Sequence, residues 1–279
     1  MPTFSAPDGT LLAYHERGDG APLVCLPGGP MQDCGYLGDL GGLPAYRRLI
    51  LLDPRGTGGS AVPADPASYR CDRQVDDVEA LRVHLGLDRI DLLGHSAGGN
   101  LAVRYLERHP DRVGRLVLVT PSPRAVGIEI TGAARTAAAQ LRRDEAWYPD
   151  ASAALAALAA GEDSAELWQR VQPFFYGRWD AAARAHSGSI ERHRNDEAIP
   201  FCVADGAFDP PATRAAIGTA GAPVLLVAGE FDLNTMPWVV AEYAALFRNA
   251  EHVVQPGAGH YPWLDDPDRF LAIVAPFLA

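Results

Sequence analysis

At 279 residues the chain is long enough to bury a full core, as one large domain or as a domain carrying an insertion. With 48% hydrophobic residues it has the composition of a globular protein rather than a disordered one. Its formal net charge of -11 speaks against nucleic acid or an anionic membrane as partner, because both demand a basic face.

No basic, apolar and small-residue leader follows Met1, and the longest helix-like apolar run, Ala151 to Ala160, is far too short to span a bilayer. The four cysteines, Cys25, Cys34, Cys71 and Cys202, show neither zinc nor redox spacing. Free thiols in a reducing cytoplasm, with no metal and no cofactor, are the expectation.

The N-terminus reads as two short strands, Thr3 to Ser5 and Leu11 to His15, around the turn Asp8-Gly9. Leu23 to Leu26 is a buried strand stopped by Pro27-Gly28-Gly29-Pro30, and Arg48 to Leu52 is another, stopped by Asp53-Pro54-Arg55-Gly56-Thr57-Gly58-Gly59-Ser60. That second loop lacks the lysine and spacing of a phosphate cradle, so Asp53 and Arg55 are expected to brace neighbouring loops. Cys71 to Leu85 has helical spacing, with Val75, Val78, Leu81, Val83 and Leu85 as core candidates. A strand from Ile90, a helix to about His109 and a strand from Leu116 to Val119 follow. Almost wholly apolar strands alternating with helices predict a parallel sheet covered on both faces.

From Pro121 to about Pro211 the alternation stops, and the segment reads as a helical insertion. It resumes with a strand at Val224 to Ala228, a helical stretch from Trp238 to Phe247, a strand at His252 to Val254 and a helix from about Asp266.

Gly94-His95-Ser96-Ala97-Gly98 stands where the Ile90 strand gives way to a helix, the pattern of a nucleophile elbow. Such a turn lifts a serine hydroxyl above the sheet and aims free N–H groups of the new helix at the same space. The hydroxyl needs a base, and the base needs an acid to orient it. Two later loops offer them: Gly229-Glu230-Phe231-Asp232 and Gly257-Ala258-Gly259-His260. Ser96, Asp232 and His260 then follow the Ser…Asp…His order of this chemistry, with Glu230 and Asp265 as rival acids. His95, beside the nucleophile, should point away from it. The N–H groups of Ala97 and Gly29 are the candidate oxyanion donors. Phe174, Phe175, Tyr176 and Trp179, with Trp147, Trp168, Trp238 and Trp263, could line an apolar pocket, although most such residues simply pack.

Taken together, Gly-Gly-Pro at 28–30, the Asp53 to Ser60 loop, Gly94-x-Ser96-x-Gly98, the late Asp232 and Gly257-x-Gly259-His260 resemble the α/β-hydrolase superfamily, and within it the prolyl aminopeptidase (proline iminopeptidase) branch. The resemblance covers 1–123 and 213–279. It implies an α/β-hydrolase fold: a mostly parallel eight-stranded sheet with helices on both faces, and 124–212 as a helical cap inserted after the sixth strand. Members of that branch remove N-terminal residues, often proline, and cap glutamates hold the free amine. This implies an amine-binding role for Glu191 or, second, Glu197, against the plainer reading of solvated charges. Three residues depart from the branch. Pro27 and Met31 stand at the ends of a loop that usually reads His-Gly-Gly-Pro-Gly, and Ala97 stands where tryptophan is usual. Gly-His-Ser-Ala-Gly-Gly is equally at home in esterases of the same fold. The expected activity is therefore serine hydrolysis of a small amide or short peptide, with a small ester or lactone as the alternative. A non-enzymatic ligand receptor would not need all three candidate triad residues.

Overall fold

The computed structural model describes residues 1–190 and 193–279. Its sheet has eight strands: β1 (Thr3–Ser5), β2 (Leu11–Arg17), β3 (Pro22–Leu26), β4 (Arg48–Leu52), β5 (Ile90–His95), β6 (Val113–Val119), β7 (Val224–Gly229) and β8 (Ala250–Gln255). They lie in the order β1-β2-β4-β3-β5-β6-β7-β8. β1 and β2 run antiparallel to their neighbours, and every pairing from β4 to β8 is parallel. The parallel strands therefore end at one rim of the sheet, where the loops after β3, β5, β7 and β8 gather.

Eleven helices accompany the strands among the described residues. α1 (Cys71–His84) and α2 (Ala97–Arg108) flank β5; α3 (Gly132–Ala139), α4 (Tyr148–Ala159), α5 (Ala165–Val171), α6 (Ala181–Ile190), α7 (Ile199–Cys202) and α8 (Pro210–Ile217) separate β6 from β7. α9 (Pro237–Ala244), α10 (Pro262–Asp265) and α11 (Pro267–Leu278) complete the chain. In α1, Val75, Val78 and Leu81 are buried as their spacing requires, but Val83 is 60% exposed. It lies two residues beyond Leu81, on the opposite side of a helix with 3.6 residues per turn.

Each face of the sheet has its own apolar cluster. One joins Val24, Ile50 and Leu92 to α1 and α2; the other joins Leu23, Leu49 and Leu93 to the 34–43 segment and α11. A third cluster packs α3 to α5 against Leu233, Met236 and Val239, which follow β7. The later part of the insertion behaves differently. Ala198, Cys202 and Ala207 are buried in the first cluster with the sheet, and α8 crosses the expected boundary at 212. All four cysteines are free and buried. Among the described residues no helix is long and apolar enough to cross a membrane.

The loop after β4 is a brace. Asp53 accepts hydrogen bonds from the N–H of Cys34 at 3.1 Å and of Gly59 at 3.0 Å, while Arg55 donates from Nε to Asp77 at 2.8 Å and from Nη1 to Asp8 at 2.7 Å. Desolvation would raise the Asp8 carboxyl, but the bond from Arg55 and the backbone N–H of Thr10 outweigh it and hold the group at about 2.

On α1, the guanidinium of Arg82 holds the Glu79 carboxyl down at about 2 against its ordinary 4.5, with Tyr105 Oη donating at 2.8 Å. A carboxyl depressed by folding adds stability that is complete above its ordinary value and is lost as the pH falls through its folded value. Glu79→Gln should therefore lower the melting temperature near neutral pH, and its melting curve should meet that of the wild type near pH 2. Thermal melts across this acid range check it; a constant offset down to the acid end would contradict the pairing.

Candidate active site

Backbone crowding makes the turn between β5 and α2. A Cβ on Gly98 would collide with the carbonyl oxygens of Leu26 and Pro27 at the end of β3, and one on Gly28 would sit 2.8 Å from Ser96 Cβ. The chain can pass only if these positions are bare. Ser96 itself is held at φ 50° and ψ -120°, a conformation that non-glycine residues adopt only when their surroundings enforce it. Its N–H donates to Val119 at 3.1 Å, and its carbonyl accepts from Gly99 at 3.0 Å and Ser122 at 3.0 Å. The side chain is half-buried and lines a cavity of about 770 Å³.

The loop after β8 places His260 beside the loop after β7. His260 Nδ1 lies 2.9 Å from Asp232 Oδ2, and Asp232 Oδ1 accepts the N–H of Asn234 at 2.8 Å. Both residues are buried, Asp232 at 0% and His260 at 3% exposure. A carboxylate accepts only, so Nδ1 carries the proton and Nε2 keeps its lone pair. The two rival acids point elsewhere: Glu230 accepts the N–H of Gly257 at 2.6 Å, and Asp265 accepts those of Gly259 at 2.8 Å and Gly177 at 2.9 Å. Among the described residues, Ser96 Oγ and His260 Nε2 have no hydrogen-bond partner, in each other or elsewhere. Hydrogen bonds of this kind are often long without substrate and tighten in the complex.

A second network, which the sequence did not reveal, holds the imidazole loop to the elbow. His95 points away from the cavity, as expected, and its Nε2 lies 3.0 Å from the backbone oxygen of His260. That oxygen can only accept, so Nε2 carries the proton and Nδ1 is the acceptor. Tyr36 Oη, 2.6 Å from Nδ1, then donates to it and accepts the N–H of Gly28 at 2.7 Å. Thr120 Oγ1 donates to the same His260 oxygen at 2.9 Å. Burial pushes the His95 imidazole well below its ordinary value, and the facing His260 adds to this, so His95 stays neutral. Burial likewise pushes the Tyr36 phenol well up, so it keeps its proton. Tyr36 lies in a single 3-10 turn, Cys34–Leu37, too short for a periodic pattern, and only its contact in space marks it.

The candidate oxyanion donors stand free. Tyr36 occupies the N–H of Gly28, whereas those of Gly29 and Ala97 have no acceptor among the described residues. Both residues line the cavity with Ser96.

The aromatic expectations divide. Tyr176 is fully buried, 5.1 Å from the ring of Tyr261 with its hydroxyl 2.9 Å from His186 Nδ1, and the Trp179 ring lies tilted 5.4 Å from Tyr176. Neither lines the cavity beside Ser96. Phe175 borders an adjoining cavity of about 460 Å³ together with Trp168, and its carbonyl accepts the N–H of His260 at 2.8 Å. Phe174 and Trp263 are packed inside, while Trp238 is 49% exposed. Glu197 is exposed and off the cavity wall. Glu191 lies outside the described residues. Sequence reasoning missed the charged groups that do line the cavity, Arg124, Glu129 and Arg135. Nothing in their local sequence aims them there.

His15, Cys34 and Asp53 form the one group of potential metal ligands among the described residues, their donor atoms within 4.8 Å of one another. Asp53 spends both oxygens on backbone N–H groups and on His15 Nε2 at 3.0 Å, which suits a brace better than a metal site.

The family model of the α/β-hydrolase fold matches residues 21–267. A proline iminopeptidase of Heyndrickxia coagulans is 26% identical over 276 residues, covering 95% of this chain and 93% of its own length. A putative 2-succinyl-6-hydroxy-2,4-cyclohexadiene-1-carboxylate synthase of Bacillus subtilis is 28% identical over 280 residues, covering 97% and 96%. Among solved structures, an esterase of Exiguobacterium antarcticum superposes with a TM-score of 0.75 at 19% identity, covering 99% of each chain, a likeness of fold. With its strand order, its elbow and a match across nearly its whole length, the chain belongs to the α/β-hydrolase fold family.

Proposed function

We propose that this hydrolase works through an acyl-enzyme formed on Ser96. The observation that carries the reading is the His260 Nδ1–Asp232 contact of 2.9 Å, which leaves Nε2 free on a loop whose carbonyl is bound by the residue preceding the serine. His260 takes the proton of Ser96 as Oγ attacks the substrate carbonyl, and Asp232 steadies the imidazolium. The N–H groups of Gly29 and Ala97 take the charge that develops on the carbonyl oxygen. His260 returns the proton to the leaving group, then activates the water that releases the acid. The four buried free thiols suit a reducing compartment, the cytoplasm.

Two substrate classes fit. The names of relatives support an N-terminal prolyl peptide or amide. The cavity suits a small ester: among the described residues the carboxylate that lines it, Glu129, is exposed, and Glu197 lies off its wall. We take the ester reading as the better supported.

Ser96→Ala should abolish covalent labelling by a fluorophosphonate and lower hydrolysis of short aryl esters by roughly three orders of magnitude or more. Turnover within about tenfold of wild type would remove Ser96 as nucleophile. Proline amides tested in parallel decide the substrate class, with faster ester turnover expected.

Tyr36 acts by position. Tyr36→Phe leaves His95 Nδ1 and the Gly28 N–H unpaired in a buried place, at a cost of about 1–3 kcal/mol in stability. Loosening both loops should lower kcat about tenfold with KM nearly unchanged, since a misplaced base weakens the transition state more than binding. Denaturant melts and steady-state kinetics measure the two effects; an unchanged kcat would reduce Tyr36 to packing.

A further inference from the structure

Three charged side chains line the cavity beside Ser96, Arg124, Glu129 and Arg135, a local excess of positive charge in a chain of net charge -11. With 35 acidic and 24 basic residues, most arginines find a carboxylate. Arg47, Arg55, Arg70, Arg82 and Arg104 each pair with one within 3 Å. Two that line the cavity do not. The guanidinium of Arg124, an exposed residue, forms neither an ion pair nor a hydrogen bond among the described residues. Arg135, half-buried on α3, gives one N–H to the carbonyl of Ile130 at 3.2 Å and forms no ion pair among the described residues. Burial pushes its guanidinium below the ordinary arginine value, and the nearby Asp232 opposes this. Asp232 accepts from His260 and from the Asn234 N–H, and it forms no ion pair with Arg135 among the described residues.

A guanidinium has five N–H donors in a planar fork that fits a carboxylate, and partial burial strengthens such bonds. With one N–H given to Ile130, the rest of the Arg135 fork is left for an anion in the cavity. Building on the ester reading above, we propose that the cavity takes an acyl substrate bearing a free carboxylate, held at the acyl end by Arg135 with Arg124 beside it, so that the scissile carbonyl lies at Ser96. The acyl–oxygen bond of the ester breaks, water supplies the hydroxyl to the acyl carbon and its proton to the leaving alcohol, and a dicarboxylic acid is released. A substrate of this kind must come from a reaction that acylates an alcohol with one end of a diacid.

The test compares two aryl esters of matched length, a hemiglutarate ending in a carboxylate and a valerate ending in a methyl. Wild type should favour the hemiglutarate by at least about tenfold in kcat/KM, the scale of a charge-assisted pair of hydrogen bonds. Arg135→Gln should bring the ratio of the two values close to one, Arg135→Lys should leave an intermediate ratio, and Arg124→Gln should lower it severalfold. Free glutarate should slow fluorophosphonate labelling of wild-type Ser96 and should not slow it in Arg135→Gln. A ratio near or below one in wild type, or a ratio that Arg135→Gln leaves unchanged in a protein that melts normally, overturns the carboxylate site. In that case labelling and Ser96-dependent valerate turnover would persist and the proposed chemistry would stand. Loss of labelling and of all turnover in wild type would instead overturn the proposed chemistry and this inference together.

Discussion

The crossing of β3 and α2 at Gly98 is the contact on which the rest depends. Backbone lies against backbone there, with the Leu26 and Pro27 carbonyls in the space that a side chain would fill. Contacts this close transmit position, because a packed interior does not deform smoothly. They force Ser96 into its positive-φ turn and set the Gly28–Gly29 loop directly over it. Whatever the serine does, its height above the rim of the sheet is a consequence of steric exclusion.

Steric exclusion alone does not hold the loop that carries His260. His260 stands 164 residues further on, yet its carbonyl oxygen receives hydrogen bonds from both His95 and Thr120, at the ends of β5 and β6. The His95 ring also faces that of His260 at 4.8 Å, and Tyr36 extends the chain of bonds to Gly28. One buried network thus joins the ends of four strands, β3, β5, β6 and β8. Such networks are rigid because any partner lost would leave a polar group stranded away from water. The inserted helices join through Phe175, whose carbonyl holds the His260 N–H, and through Asp265, which ties Gly177 to Gly259.

Much of the architecture was legible in the chain. Apolar runs of strand length stopped by glycine, proline or aspartate marked β3 to β7, and the elbow glycines marked the turn, because these demands are local. Less legible were features that depend on direction. Val83 fell within a helical stretch but turned outward. Tyr176 and Trp179 read as pocket lining but pack among Tyr261, His186 and each other, away from the cavity. Aromatic residues satisfy burial equally well in either place, so composition cannot choose.

Spacing and residue type by themselves determined a parallel sheet, a serine on a strained turn, and the order in which a carboxylate and a histidine follow it. Only the assembled structure set Asp232, which the order of residues already favoured over Glu230 and Asp265, 2.9 Å from His260, enlisted Tyr36, and left Arg124 and Arg135 on the cavity wall without an ion pair among the described residues. The reason is geometric. Strands and turns are written in the propensities of neighbouring residues, whereas a hydrogen bond between distant side chains depends on the angle at which each leaves its loop, and that angle is fixed by everything packed around it.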